Sequence, residues 1–138
     1  MAAATSITRA HQILLRRIDE VLKPFGLTFS RFEALALLHF STQGSLPLGT
    51  VGQRLQVHPA SVTNTVDRLE RDGLVERQRD PADGRTRLAA ITAAGRDVVI
   101  EASGALAEID FGLVGREPVR YQAIESELRA VRRNAGDF

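Results

Sequence analysis

Side chains that can bind nucleic acid are concentrated in the segment from residue 59 to residue 87. If residues 59–72 form a helix, Val62, Val66 and Leu69 share one face at 100° per residue and are expected to pack. Asparagine can bridge adenine N6 and N7, and serine or threonine hydroxyls can bond bases or phosphates. The opposite face therefore predicts contact with base edges, and it carries Ala60, Asn64, Asp67, Arg68 and Arg71, with Ser61 at its edge.

Four arginines follow in a segment that has the signals of a β-hairpin. Two short strands, 74–78 and 86–92, flank a turn at 80–85 that is rich in aspartate, proline and glycine. A short helix, a tight turn, a polar-faced helix and a basic hairpin, in this order, can place one helix in a major groove. The hairpin then reaches the neighbouring backbone or minor groove. These arginines are Arg77, Arg79, Arg85 and Arg87.

Other kinds of site have little support in the sequence. The absence of cysteine excludes disulfides, thiolate metal sites and thiol nucleophiles. His11, His39 and His58 lie on different predicted elements without ligand spacing, so we predict neither a metal site nor a cofactor. We expect His39 to be a hydrogen-bonded interior or boundary histidine. No nucleophile elbow, phosphate loop or carboxylate pair is present, so we predict no enzymatic activity.

Composition is typical of one folded domain and leaves the partner open. The chain has 138 residues, and its eighteen basic residues nearly cancel its seventeen acidic ones, giving a net charge of +1. Only the distribution of charge can therefore indicate nucleic acid. No apolar run approaches the roughly 20 residues that cross a bilayer, and no signal pattern begins the chain, so we expect a cytoplasmic protein without membrane contact.

Helical periodicity predicts three helices ahead of the polar-faced one. The first runs from about Ser6 to Lys23, and the second begins with Ser30 as N-cap and Glu33 completing a capping box. Residues 41–47 form a turn-rich break, and a short helix covers residues 48–56.

The polar-faced helix and the two that follow it have clear start and stop signals. Pro59 suits a first helical position, and Gly73 a left-handed C-cap. After the hairpin, Thr92 is predicted to cap a long helix that continues to Leu113. Gly115 breaks it, and a final helix covers about 117–133.

The middle of the chain resembles the MarR family of winged helix-turn-helix regulators. The resemblance rests on residues 62–77 (VTNTVDRLERDGLVER), 80–85 (DPADGR) and 88–92, with Gly95. It implies a mainly α fold with a small β-hairpin, namely a winged helix-turn-helix domain with dimerisation helices at both ends. One MarR-like domain then spans 1–138. Its parts are dimerisation helices at 6–24 and 93–136 and a DNA-binding lobe at 28–92, with the recognition helix at about 59–72 and the wing at about 74–92.

Carried over by position, the resemblance implies which residues contact DNA. Asp83 would hold the Arg85 guanidinium as it enters the minor groove, and Arg68 would lie nearer the phosphates. A purely structural Asp83–Arg85 turn pair is the alternative. Two departures weaken the match, because the family often has a basic residue at the position of Gly84 and an arginine at that of Asn64. The predicted contacts are Pro59, Ala60, Ser61, Thr63, Asn64, Arg68, Arg77, Asp83, Arg85 and Arg87.

The resemblance further implies a ligand-responsive repressor that binds a pseudo-palindromic operator as a homodimer. Its effector would be a small aromatic or anionic molecule, bound between the dimerisation helices and the DNA-binding lobe. The alternative is a winged-helix protein-interaction module that has lost DNA binding, which the near-neutral charge, Gly84 and Asn64 favour. The predicted effector pocket is lined by Ile13, Arg17, Phe29, Phe32 and His39, each of which could equally be ordinary core or surface.

Overall fold

The computed structural model describes residues 1–113 and 118–137, and in these ranges it has six α-helices and a three-stranded antiparallel sheet. The predicted mainly α fold with a small β-hairpin is confirmed. The predicted break at Gly115 and the start of the last helix at residue 117 lie outside the described residues. In chain order the elements are α1 (Ala2–Leu22), α2 (Phe29–His39), β1 (Ser45–Pro47), α3 (Leu48–Leu55), α4 (Pro59–Arg71), β2 (Val75–Arg79), β3 (Arg87–Ile91), α5 (Ala93–Glu108) and α6 (Pro118–Asn134).

The core lies where α1, α2, α4 and α5 bury their apolar faces together. Leu22, Leu35, Leu69 and Leu106 are each fully buried at its centre. Burial of large aliphatic side chains contributes about 1.5–3 kcal/mol each, so these contacts dominate the stability of the domain. The three apolar positions predicted on the polar-faced helix are all buried, which leaves the opposite face of α4 to solvent.

Helix α4 starts and stops as the sequence predicts. Pro59 takes the first position, and the His58 imidazole Nδ1 accepts a hydrogen bond from the Ala60 N–H (3.2 Å). Gly73 follows the helix with φ +72°, a conformation that costs glycine little. The chain therefore turns directly from α4 into β2.

Helix α5 is attached to that same junction by its cap. The Thr92 hydroxyl accepts from the Gly95 N–H (3.0 Å) and donates to the Gly73 carbonyl (2.8 Å). The Thr92 N–H also bonds the Leu74 carbonyl (3.1 Å). One residue thus caps α5 as predicted and fixes it to the turn between α4 and β2.

Three predicted helix ends are wrong. Helix α1 begins at Ala2 rather than Ser6, and α5 ends at Glu108 rather than Leu113, where left-handed backbone at Asp110 and Phe111 forms a 3₁₀ turn. Ser30 is not an N-cap, because α2 starts one residue earlier. There the Phe29 N–H bonds the Asp19 carboxylate of α1 (2.7 Å).

Strand β1 lies in the segment predicted as a turn-rich break. It pairs antiparallel with β3, with Leu46 opposite Ala89, so the sheet has the order β1-β3-β2. Within the described residues, no helix is both long enough and apolar enough to cross a membrane.

Candidate nucleic-acid interface

The predicted base-contacting residues lie together on the solvent face of α4. Pro59, Ala60, Ser61, Thr63 and Asn64 are all exposed, and Arg68 follows two turns into the helix. The Thr63 hydroxyl donates to the Pro59 carbonyl (3.2 Å), which leaves its oxygen available as an acceptor. Small side chains near the helix start allow the backbone to approach a groove closely, and the hydroxyl and amide groups can bond base edges there.

The tip of the β2–β3 hairpin is held by Asp83, but not in the way predicted. Its carboxylate accepts from the backbone N–H of Arg85 (3.0 Å) and from the Thr86 hydroxyl (2.9 Å). Within residues 1–113 and 118–137, no ion pair joins Asp83 to the Arg85 guanidinium. The bond from the Arg85 N–H and that from Thr86 lower the pKa of Asp83. Asp83 therefore shapes the turn, and the exposed Arg85 side chain is left free to bind.

Arginines also face each other across the hairpin. Arg79 of β2 lies directly opposite Arg87 of β3, and both are exposed. Like charges at paired strand positions are unfavourable unless an anion lies between or beside them. With Arg85 at the tip, the pair forms a basic edge suited to phosphate.

Arg77 occupies a different position from the other hairpin arginines. Its guanidinium pairs with both Asp67 and Glu70 of α4. Its backbone N–H also donates to the Glu70 carboxylate (3.1 Å). Burial opposes the charge of Arg77, but the hydrogen bonds and attraction of the two carboxylates outweigh it and raise its pKa. The structure thus places Arg77 between β2 and α4, where it fixes the hairpin against the helix.

Sequence reasoning missed a basic surface on the other flank of α4. Arg31, at the start of α2, and Arg71 join Arg68 around an open polar recess of about 420 Å³, here called the arginine recess. Asp72 pairs with Arg68 (3.4 Å) and with Arg31 (3.8 Å), and Arg31 also donates to the Gly26 carbonyl (2.8 Å). The remaining lining residues are Thr28, Ser30, Asn64 and Thr65.

The sequence model of the MarR family matches residues 25–86, which include the helix-turn-helix and most of the hairpin. The crystal structure of Sco5413, a MarR family transcriptional regulator from Streptomyces coelicolor, is 54% identical with a TM-score of 0.93. The alignment covers 100% of this chain and 96% of that one. The chain belongs to the MarR family. Its helices α3 and α4 and its β2–β3 hairpin follow one another in the order of a winged helix-turn-helix.

Two further relatives place this MarR protein among transcriptional regulators. The HTH-type transcriptional regulator YhbI of Bacillus subtilis is 31% identical over 122 residues, which is 88% of this chain and 73% of the relative. A structure of Bordetella bronchiseptica BpsR, whose DNA binding is regulated by 6-hydroxynicotinic acid, is 27% identical with a TM-score of 0.83. It covers 93% of this chain and 91% of that one.

The structure divides the five predicted effector residues between two places. Ile13 and Arg17 line a groove of about 220 Å³ with Leu113, Tyr121 and Ile124, between α1 and α6. Arg17 also donates to the Gly112 carbonyl (3.0 Å). The other three predicted residues belong to α2, outside this groove, and are Phe29, Phe32 and His39.

The α2 members of the predicted pocket have structural surroundings of their own. Phe32 is buried in the core and stacks on Phe29 with 6.4 Å between ring centroids. The prediction that His39 is hydrogen-bonded is wrong for its ring nitrogen Nδ1. Its Nδ1 is buried and has no hydrogen-bond partner in the part of the chain that the structure describes. In that part of the chain, no three metal-binding side chains lie close enough to share an ion.

Proposed function

We propose that this MarR-family protein binds duplex DNA as a homodimer and represses transcription by occupying a pseudo-palindromic operator. The observation that carries the proposal is the arrangement around α4. The exposed polar face of the helix lies between the basic wing edge, with Arg85 and Arg87, and the arginine recess. A helix that reads base edges and flanking arginines that bind phosphates are the two parts of a sequence-specific interface.

A second copy of the chain is expected to cover α6. Among residues 121–134 no side chain is buried, and Ile124, Leu128 and Val131 are 46%, 37% and 60% exposed. Their spacing forms one apolar stripe along the helix, which is typical of a helix-packing seam. A two-fold dimer presents two recognition helices to half-sites one helical turn apart or a multiple of it, about 10 base pairs per turn.

The proposed regulator responds to a small aromatic anion. BpsR provides the precedent in its response to 6-hydroxynicotinic acid. In this chain the α1–α6 groove offers apolar walls and the Arg17 guanidinium, a donor suited to a carboxylate. Because the groove joins the dimerisation helices, a ligand there can change the spacing of the two recognition helices, and with it the affinity for DNA.

Gel shift and fluorescence anisotropy with DNA from upstream of the gene test the DNA-binding part. Wild-type protein is expected to bind with an affinity that falls steeply with salt. Arg85→Ala should weaken binding by about tenfold, which corresponds to about 1.4 kcal/mol. The matched control is Arg16→Ala, which removes the same charge from an exposed position on α1.

Two results would count against this assignment. Equal binding by wild type and Arg85→Ala contradicts the wing contact while leaving α4 as the reader of DNA. No retarded band at low salt contradicts DNA binding altogether and favours the protein-interaction module.

A further inference from the structure

A further cavity lies beside α4, where this helix meets α2 and α3. It has a volume of about 360 Å³ and is enclosed by α2, α3 and α4. This volume is within the range of about 300–1,000 Å³ that is usual for small-molecule sites. The cavity is separate from the α1–α6 groove, with which it shares no lining residue.

The cavity has walls of mixed character, since six of its eleven lining residues are apolar and five are polar or charged. Val51 and Leu55 of α3 and Val62 and Val66 of α4 supply most of the apolar wall. Ser61 and Thr65 are also among the lining residues, and within the described residues neither hydroxyl has a hydrogen-bond partner. Ligand sites usually combine apolar walls with polar groups that fix the orientation of the ligand.

Glu33 is the one charged residue among those that line the cavity, all of which the structure describes. Its carboxylate has no ion-pair or hydrogen-bond partner in residues 1–113 and 118–137. Burial raises the pKa of Glu33, since the partly desolvated carboxylate has no cation beside it. The arginine recess adjoins this cavity and shares Ser30, Asn64 and Thr65 with it, but its arginines are not among the cavity-lining residues. The one charge among the lining residues is therefore negative, and a cation beside it would offset the lost hydration of the Glu33 carboxylate.

We propose that the cavity between α2, α3 and α4 binds a small organic ammonium ion with an apolar body, held by the Glu33 carboxylate. An ammonium group has three donors and no acceptor. The carboxylate and the oxygens of Ser61 and Thr65 are three acceptor groups on the same cavity. The apolar part of the ligand packs on the valine and leucine wall. Ser61 and Asn64, two of the predicted DNA contacts, are also among the lining residues, so occupancy of the cavity is tested without DNA.

Benzylamine, benzyl alcohol and benzoate are suitable probes because they share an aromatic body and differ in charge. Binding is followed at neutral pH, without DNA, by amide chemical-shift titration of the wild-type dimer. Benzylamine is expected to bind most tightly and to shift the amides of Ser30, Glu33, Ser61 and Thr65. Glu33→Gln should weaken benzylamine binding by at least about tenfold. Its affinity for benzyl alcohol should equal that of the wild type.

Two further variants separate charge from folding. Glu33→Asp keeps the carboxylate on a shorter arm and should retain more benzylamine binding than Glu33→Gln. Glu101→Gln removes a carboxylate from an exposed position of α5 and should bind as wild type. Equal binding of the three probes, tighter binding of benzoate, equal benzylamine binding by Glu33→Gln and wild type, or shifts confined to the α1–α6 groove would each overturn the proposal.

Discussion

Gly84 lies at the tip of the β2–β3 hairpin, between Asp83 and Arg85. MarR proteins often have a basic residue there, whereas the turn in this chain is closed by Asp83 and carries no charge at its next residue. An added Cβ at Gly84 would meet no atom within 4 Å, so the turn has room for a side chain. Packing therefore does not require a glycine at this position. A basic side chain here would change the affinity for DNA and not the fold of the turn.

Introducing a lysine at this position should strengthen DNA binding. Gly84→Lys is expected to raise affinity for upstream DNA by about two- to tenfold and to steepen the dependence of log K on log salt by about 0.9, as for one added phosphate contact. Anisotropy titrations at several salt concentrations measure both quantities. Gly84→Gln has a comparable length without charge, and an equal gain from it would show that charge is not the cause.

Sequence alone predicted which residues the wing tip exposes, but not how they are held. The Asp-x-Arg spacing indicated a link between Asp83 and Arg85, and the structure has that link through the Arg85 backbone N–H instead of its guanidinium. A short turn can satisfy a carboxylate with its own N–H groups, and this competes with a side-chain ion pair. Spacing identifies the partners, whereas the bonding atoms depend on the turn geometry.

Arg77 connects two elements, and its substitution should separate a structural role from a DNA contact. Arg77→Ala removes both ion pairs to α4 and is expected to lower the free energy of unfolding by about 1 kcal/mol, since the group is partly exposed. Urea denaturation measures the loss. The double variant Asp67→Asn, Glu70→Gln should lower the free energy of unfolding by a similar amount if Arg77 acts by fixing β2 on α4.

The same variants should also bind DNA alike if Arg77 is structural. A direct phosphate contact predicts opposite effects, because Arg77→Ala would remove a cation while the double variant would remove two anions near DNA. Stronger DNA binding by the double variant together with weaker DNA binding by Arg77→Ala would support the prediction that Arg77 contacts DNA.

Gly95 shows why a glycine is needed where α5 begins. A Cβ there would lie 2.1 Å from the Leu74 carbonyl oxygen, at the junction that Thr92 ties to α5. Gly95→Ala should therefore destabilise the protein by about 2–3 kcal/mol in urea denaturation. Gly104, also in α5, has no atom within 4 Å of an added Cβ, and Gly104→Ala should stabilise by about 0.5–1 kcal/mol. A similar effect at both positions would exclude the close approach as the cause.

Across the whole molecule, locally encoded features were predictable and those made by distant contacts were not. Periodicity, Pro59 and Gly73 located α4 because each acts within a few residues. Strand β1 was missed because its ladder depends on β3, more than forty residues away. Arg31 was missed as a member of the basic surface because it joins Arg68 only when α2 packs against α4. The start of α2 likewise depends on Asp19 of α1.

The apolar stripe of α6 provides the test of how two such molecules assemble. A carboxylate inside a helix–helix seam is left without water or a partner, which is costly. Leu128→Asp is therefore expected to convert the dimer to monomer at micromolar concentration in sedimentation velocity. Ser126→Asp adds the same charge about 160° away around the helix and should leave the dimer intact.

Loss of the dimer should also weaken operator binding, because one chain then holds only one half-site. Two linked half-sites gain about 10²–10⁴ in overall affinity from effective concentration, so Leu128→Asp should lose at least about a hundredfold in anisotropy titrations. The variant chain itself should stay folded, since α6 contributes no buried side chain among residues 121–134 to its own domain. If Leu128→Asp remains a dimer with wild-type affinity, the stripe is not the seam, and the exposed apolar side chains of α1, Ile7 and Ile13, become the next surface to substitute.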